Sequence, residues 1–229
     1  MKRAFPILAI AAAVLLGYAT YQALVVAPTE QTMGPVQRIF YYHVSSAWTA
    51  GLLFFINFVA SIVYLARRSQ KADALAMASA EVGVVFCTVV LVTGPIWARP
   101  VWGIWWTWDM RLTLTLVLWL IYVSYLLLRR FSASGQTPVM AAVLAIFGTL
   151  DIPLVYFSIW FFRTQHPQPV MGGGGSIDPR MLHAFFVNLI AFSYFGLLVC
   201  WARYRLEVLR REVEETQALE SLLEVRSSQ

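Results

Sequence analysis

Apolar residues along this chain fall into six long blocks separated by short polar connections. Blocks 4–28, 39–66, 82–98, 112–128 and 181–202 contain no Asp, Glu, Lys or Arg, and block 137–162 carries only Asp151. Each holds at least 17 residues, about the minimum for a helix crossing a ~30 Å hydrocarbon layer. Backbone N–H and C=O groups in lipid must find partners within their own segment, so blocks of this kind predict helices rather than open strands. The expected fold is an all-α integral membrane protein with six transmembrane helices. Lys2 and Arg3 precede the first block in the manner of a signal peptide. The uncharged run that follows exceeds the usual apolar region of about 7–15 residues, so a retained helix is expected.

Charge sets the direction of threading. With the N-terminus inside, twelve of the 17 basic residues fall on inner segments and five (Arg38, Arg99, Arg111, Arg163, Arg180) on outer ones. A cytoplasmic excess of Lys and Arg is the normal sign, so both termini are expected in the cytoplasm. Composition agrees: 59% of residues are hydrophobic, mean hydropathy is +0.67, and 13% are charged, against about 25% in an ordinary soluble domain. The topology accounts for the net charge of +5, which therefore says nothing about nucleic acid; membrane lipid is an expected partner and nucleic acid is not. Residues 1–202 read as one six-helix membrane domain. Residues 203–229 read as a cytoplasmic tail, where Leu206, Leu209, Val213, Leu219, Leu222 and Leu223 alternate with charges and extend the sixth helix.

This threading collects chemistry on the outer side. His43 and His183 lie near the outer ends of the second and sixth helices, and His166 lies in the connection between the fifth and sixth. The connection between the third and fourth, residues 99–111, contains WGIWWTWDMR. Tryptophan is common at membrane interfaces, which accounts for Trp97 and Trp102. It does not account for Trp105, Trp106 and Trp108 running together into Asp109. A zinc or copper site would want further Cys, His or carboxylate ligands and has no use for a wall of indoles. A haem needs one or two axial ligands, a broad apolar surface and cations for its propionates. His43 and His183 could supply the first and the tryptophans the second. Arg180 shares a helix face with His183, Arg38 lies five residues before His43, and Arg99 and Arg111 bracket the loop.

WGIWWTWDMRLT resembles the tryptophan-rich WWD signature of haem-handling membrane proteins. The segments TGPIWARPVWG and QRIFYYHVSSAW resemble its six-helix branch, the haem exporter protein C family of bacterial cytochrome c maturation (system I). The likeness runs through nearly the whole chain except the tail. It implies that His43 and His183 are the two haem-ligand histidines, and that Trp102, Gly103, Trp105, Trp106, Trp108 and Asp109 form the loop that holds haem and meets a periplasmic haem chaperone. It also implies that Arg38 and Arg111 contact the propionates. Ser45 departs from the pattern, where proline is common. The cargo implied is haem b, bound non-covalently and passed on at the periplasmic face of the bacterial inner membrane. The implied partners are the ATP-binding and membrane subunits of an ABC-type complex and a small single-helix subunit. No G-x-x-x-x-G-K-[ST] loop is present in the sequence, so energy is expected from a partner and the chain is not expected to be an enzyme.

Other features point elsewhere or to structure alone. Asp151, two residues before Pro153, is either a carboxyl serving backbone groups freed by a proline kink or a functional intramembrane acid. Glycines 172–175 lack the context of a phosphate site and read as a flexible outer loop. Cys87 and Cys200 fall within membrane helices and no C-x-x-C-H occurs, which argues against a disulfide and against covalent haem attachment. A cytochrome b-type electron-transfer subunit is the main alternative, although both candidate ligands sit at the rim rather than in mid-bilayer. A transport subunit built around Asp151 is a further one.

Overall fold

The computed structural model describes residues 4–132, 134–166 and 177–227, and among these the chain is almost entirely helical. Its helices are α1 (Ala4–Tyr21), α2 (Ile39–Arg67), α3 (Gln70–Trp102), α4 (Met110–Phe131), α5 (Thr137–Thr149), α6 (Asp151–Phe161) and α7 (Pro179–Ser227). A π-helical turn, Gln22–Val26, prolongs α1, and a 3₁₀ turn, Pro35–Arg38, leads into α2. Six segments are long and apolar enough to span a membrane, with α5 and α6 together making the fifth. The glycine run 172–175 lies outside the described residues.

Two boundaries differ from expectation. The third span starts at Gln70, twelve residues before its uncharged block. Five alanines between Ala72 and Ala80 are strong helix formers, and the charges that ended the block, Asp73 and Glu81, are ion-paired to other helices. The fifth span is broken at Leu150, whose N–H turns back to the Phe147 carbonyl at 3.1 Å. Pro153 cannot donate to the Thr149 carbonyl four residues earlier, which removes one helical hydrogen bond at that point. The buried Asp151 Oδ2 has no hydrogen-bond partner. The tail does continue the last helix without a break.

Helix packing depends on small residues and flat rings. A methyl on Gly83 would sit 2.6 Å from the Phe54 ring, and one on Gly196 would sit 2.6 Å from Thr49 and 3.1 Å from Phe86. These glycines let α3 and α7 close on α2 as lipid-embedded helices must, by packing rather than by exclusion of water. The Phe54 ring then stacks on Tyr122 of α4, centroids 3.8 Å apart and planes 14° apart. Asn57 donates to the Ala76 carbonyl at 2.7 Å, joining α2 to α3. Cys87 and Cys200 are buried free thiols in the same core. By contrast α1 is peripheral, held to α7 by Asn188 donating to the Ala19 carbonyl (3.0 Å) and Tyr194 to the Leu8 carbonyl (3.1 Å). Many large apolar side chains point outward, among them Ile7, Ile10, Val14, Val143, Phe147 and Ile190, as a lipid-facing surface requires.

Candidate functional site

His43 lies early in α2 and is buried. Its ring faces α3, where Gly94 leaves room beside Cε1 and the Trp97 indole packs edge-on at 5.9 Å and 71°. Nδ1 lies 2.8 Å from the Thr93 hydroxyl. That hydroxyl is itself 2.6 Å from the Val89 carbonyl, to which it donates. A hydroxyl has one proton, so while Thr93 donates to Val89 it can only accept from His43, and Nδ1 then carries the hydrogen. In that tautomer Nε2 keeps its lone pair, the state a metal ligand needs. Thr93 and Trp97 are four residues apart and share one face of α3.

The tryptophan connection is shorter than expected and capped at both ends. α3 runs through Trp102, so Arg99 and Trp102 are helical, and Gly103 ends the helix at φ +77° with its N–H on the Arg99 carbonyl at 3.0 Å. That left-handed conformation favours glycine because a Cβ would crowd the backbone. At the other end Asp109 caps α4, accepting from the Leu112 N–H at 3.1 Å. Between the caps Trp105 and Trp108 are 59% and 77% exposed. Trp106 turns inward beside Trp108 (5.8 Å, 75°), with its indole N–H buried and unpartnered.

Asp109 also reaches across the fold. Its Oδ2 accepts from the Thr107 hydroxyl and from the Thr164 hydroxyl, each at 3.0 Å. Thr164 in turn accepts from the His166 backbone N–H at 3.0 Å. A continuous chain of hydrogen bonds therefore runs from the tryptophan loop to the segment carrying the third histidine. His43 lies within electrostatic reach of both His166 and Arg111.

Arg111 and Arg38 each keep a buried nitrogen without a partner, Nη1 and Nε respectively, and so does the Trp97 indole. Arg38 is otherwise held by the Leu24 carbonyl in the π-helical turn, where the wider helix leaves carbonyls to be capped. His183 stands exposed on α7, and no hydrogen bond or ring contact joins it to His43 among the described residues. Arg180 is engaged with Asp178 at 3.0 Å on the surface. Thr93, Trp97, Thr164 and His166 were not among the expected site residues. Thr93 and Trp97 were detectable as an i, i+4 pair facing one way in an apolar block. Thr164 was not, because its partner Asp109 is 55 residues away.

A six-span helical bundle that buries a histidine against Thr93 and Trp97 and leaves indoles exposed between its third and fourth spans has the architecture of a multi-pass membrane protein. The profile of the haem exporter protein C family matches residues 1–219. The chain is 35% identical to "Heme exporter protein C" of Bradyrhizobium diazoefficiens over 222 residues, covering 96% of this chain and 84% of that one. It is 32% identical to the Haemophilus influenzae protein of that name over 220 residues (91% and 86%). It is 33% identical to the Escherichia coli K12 protein over 207 residues (90% and 82%). The chain belongs to the haem exporter protein C family.

Proposed function

We propose that this chain is a haem-handling membrane subunit of c-type cytochrome biogenesis. It holds haem b non-covalently at the tryptophan end of the bundle and hands it to a haem chaperone in the periplasm. The ATP-binding and membrane subunits of an ABC-type complex and a small single-helix subunit work with it, and supply the energy that this chain has no nucleotide loop to provide. Both termini then lie in the cytoplasm and the tryptophan loop in the periplasm, a reading that the excess of basic residues on the inner segments supports.

The observation that carries the reading is His43, with Nε2 free to ligate iron and Nδ1 held by Thr93. The unpartnered N–H groups of Arg111, Arg38, Trp97 and Trp106 are the donors that two propionates would satisfy. Exposed Trp105 and Trp108 offer flat apolar area to the cargo and to the chaperone that receives it. Iron accepts the imidazole lone pair; everything else this chain does is to orient a planar ligand and keep it at the membrane rim. Holding haem and chaperone together at a fixed geometry supplies much of the acceleration.

For the second ligand two histidines compete. His183 follows from the resemblance. His166 is the alternative, supported by its electrostatic influence on His43 and by the anchorage of its backbone to Asp109 through Thr164. The test is the visible spectrum of protein co-expressed with the chaperone, comparing wild type with His43→Ala, His166→Ala and His183→Ala. The reading requires haem in wild type and its loss or a changed ligation spectrum in His43→Ala. Of the other two, the one that alters the spectrum is the ligand. Trp105→Ala/Trp106→Ala lowers the amount of loaded chaperone. A wild type without haem, or an unchanged spectrum in His43→Ala, rejects the proposal.

A further inference from the structure

We propose that Thr164 is a positioning residue that couples the tryptophan loop to the histidine segment, so that movement of one shifts the other. The inference rests on the function proposed above and concerns the site's internal linkage. Thr164 has one hydroxyl proton, directed to Asp109 Oδ2 at 3.0 Å, and its oxygen accepts the His166 N–H at 3.0 Å. Both uses of the hydroxyl lie on one line from Asp109 to the backbone of His166. Asp109 belongs to the tryptophan loop: it caps α4 through Leu112 and holds Thr107 within the loop. The Asp109–Thr164 hydrogen bond joins the 103–109 loop to the segment after α6.

A hydrogen bond to an ionised carboxylate is stronger and more directional than a neutral one, and two of them sharing Oδ2 fix where that oxygen points. A partner that docks on Trp105 and Trp108 moves the loop bearing Asp109. Through Thr164 that displacement reaches His166, two residues along the chain and within electrostatic reach of His43. Docking of the receiver and loosening of the cargo thereby become one event. The reciprocal follows from linkage: cargo seated against the histidines biases the loop toward the conformation that receives the partner.

The test compares Thr164→Val, which keeps the shape and removes the hydroxyl, with Thr164→Ser, which keeps the hydroxyl and removes the methyl. Thr107→Val removes the other hydroxyl on the same carboxylate oxygen without touching the His166 segment. For each, the visible spectrum and redox potential of bound haem are recorded, together with the fraction of chaperone loaded. Thr164→Val is expected to retain haem, to shift its spectrum or potential, and to lower loading about tenfold, the equivalent of one lost hydrogen bond to a charged group. Thr164→Ser restores both, and Thr107→Val, which keeps the link to the His166 segment, shifts the haem potential less than Thr164→Val does. A Thr164→Val protein that matches wild type in spectrum and loading overturns the coupling. So does a Thr164→Ser protein as defective as the valine variant, because the defect is then steric. If Thr164→Val fails to accumulate, Asp109→Asn weakens the same bond with little change of shape. Haem spectrum and loading in that variant equal to wild type likewise overturn the proposal. Absence of haem from wild type would instead remove the underlying function, a result distinguishable from all of these.

Discussion

The two ends of the helical bundle treat buried charge in opposite ways. At the end away from the tryptophans, Asp73 of α3 receives Arg129 of α4 through two hydrogen bonds, 2.7 and 2.6 Å, and Arg211 of α7 at 2.8 Å. Arg211 also meets Glu207 at 2.7 Å, and Glu207 meets Arg210 at 3.1 Å. Glu81 is matched by Arg203 at 2.7 Å. At the tryptophan end Arg38 and Arg111 each retain a buried nitrogen with no partner, beside unpartnered indole N–H groups. One end spends its charges on locking three helices together. The other keeps its donors available. A buried donor left unpaired costs about 1–3 kcal/mol, a cost that makes sense where a ligand arrives to satisfy it.

That contrast can be broken most forcefully at Asp73. Asp73→Ala leaves Arg129, whose side chain is only 8% exposed, without its anion and takes from Arg211 one of its two carboxylates. Removing one partner of a buried pair costs about 3–5 kcal/mol, so the variant is expected to lose most of its thermal stability in detergent. The haem spectrum of whatever remains folded should be that of wild type, because the two ends are separate. A changed spectrum would show that they are not.

At the other end the larger effect is on binding rather than stability. Thr93→Val removes the acceptor that orients His43, and loss of such an outer partner typically weakens a metal site by about 10–100-fold. Haem titration of the purified variant measures it, with melting temperature expected to change little. An unaltered affinity would mean that His43 is oriented by packing against Gly94 and Trp97 alone. Gly103→Ala places a Cβ at φ +77°, a strain of about 1–2 kcal/mol. It should reduce loop order and chaperone loading before it reduces haem content. Smallest of all, Arg210→Gln should shift stability by under about 0.5 kcal/mol, since Arg210 is 59% exposed and Glu207 keeps Arg211. A loss as large as that of Asp73→Ala would mean that the network acts as a unit.

How much of this was legible in the sequence differs from residue to residue. The six spans follow from hydrophobic blocks, which are local and survive any arrangement of neighbours. The caps of the tryptophan loop are nearly as local: Gly103 and Asp109 are the residue types that end and begin helices. The start of α3 was misjudged because Asp73 and Glu81 look like a water boundary until their arginines are known. Trp97 resembled an interfacial anchor until the structure set it against His43.

The chain's order of apolar and polar residues, read alone, determined that this is a six-span helical protein, and the resemblance of its motifs pointed to the haem exporter protein C family. It also singled out His43, Arg111 and Asp109, because each sits in a pattern only a few residues long. How His43 meets Thr93 and how Asp109 reaches Thr164 were decided by tertiary structure. Those contacts join residues about 50 or more positions apart, and a contact of that kind depends on how helices turn toward one another rather than on what precedes or follows in the chain.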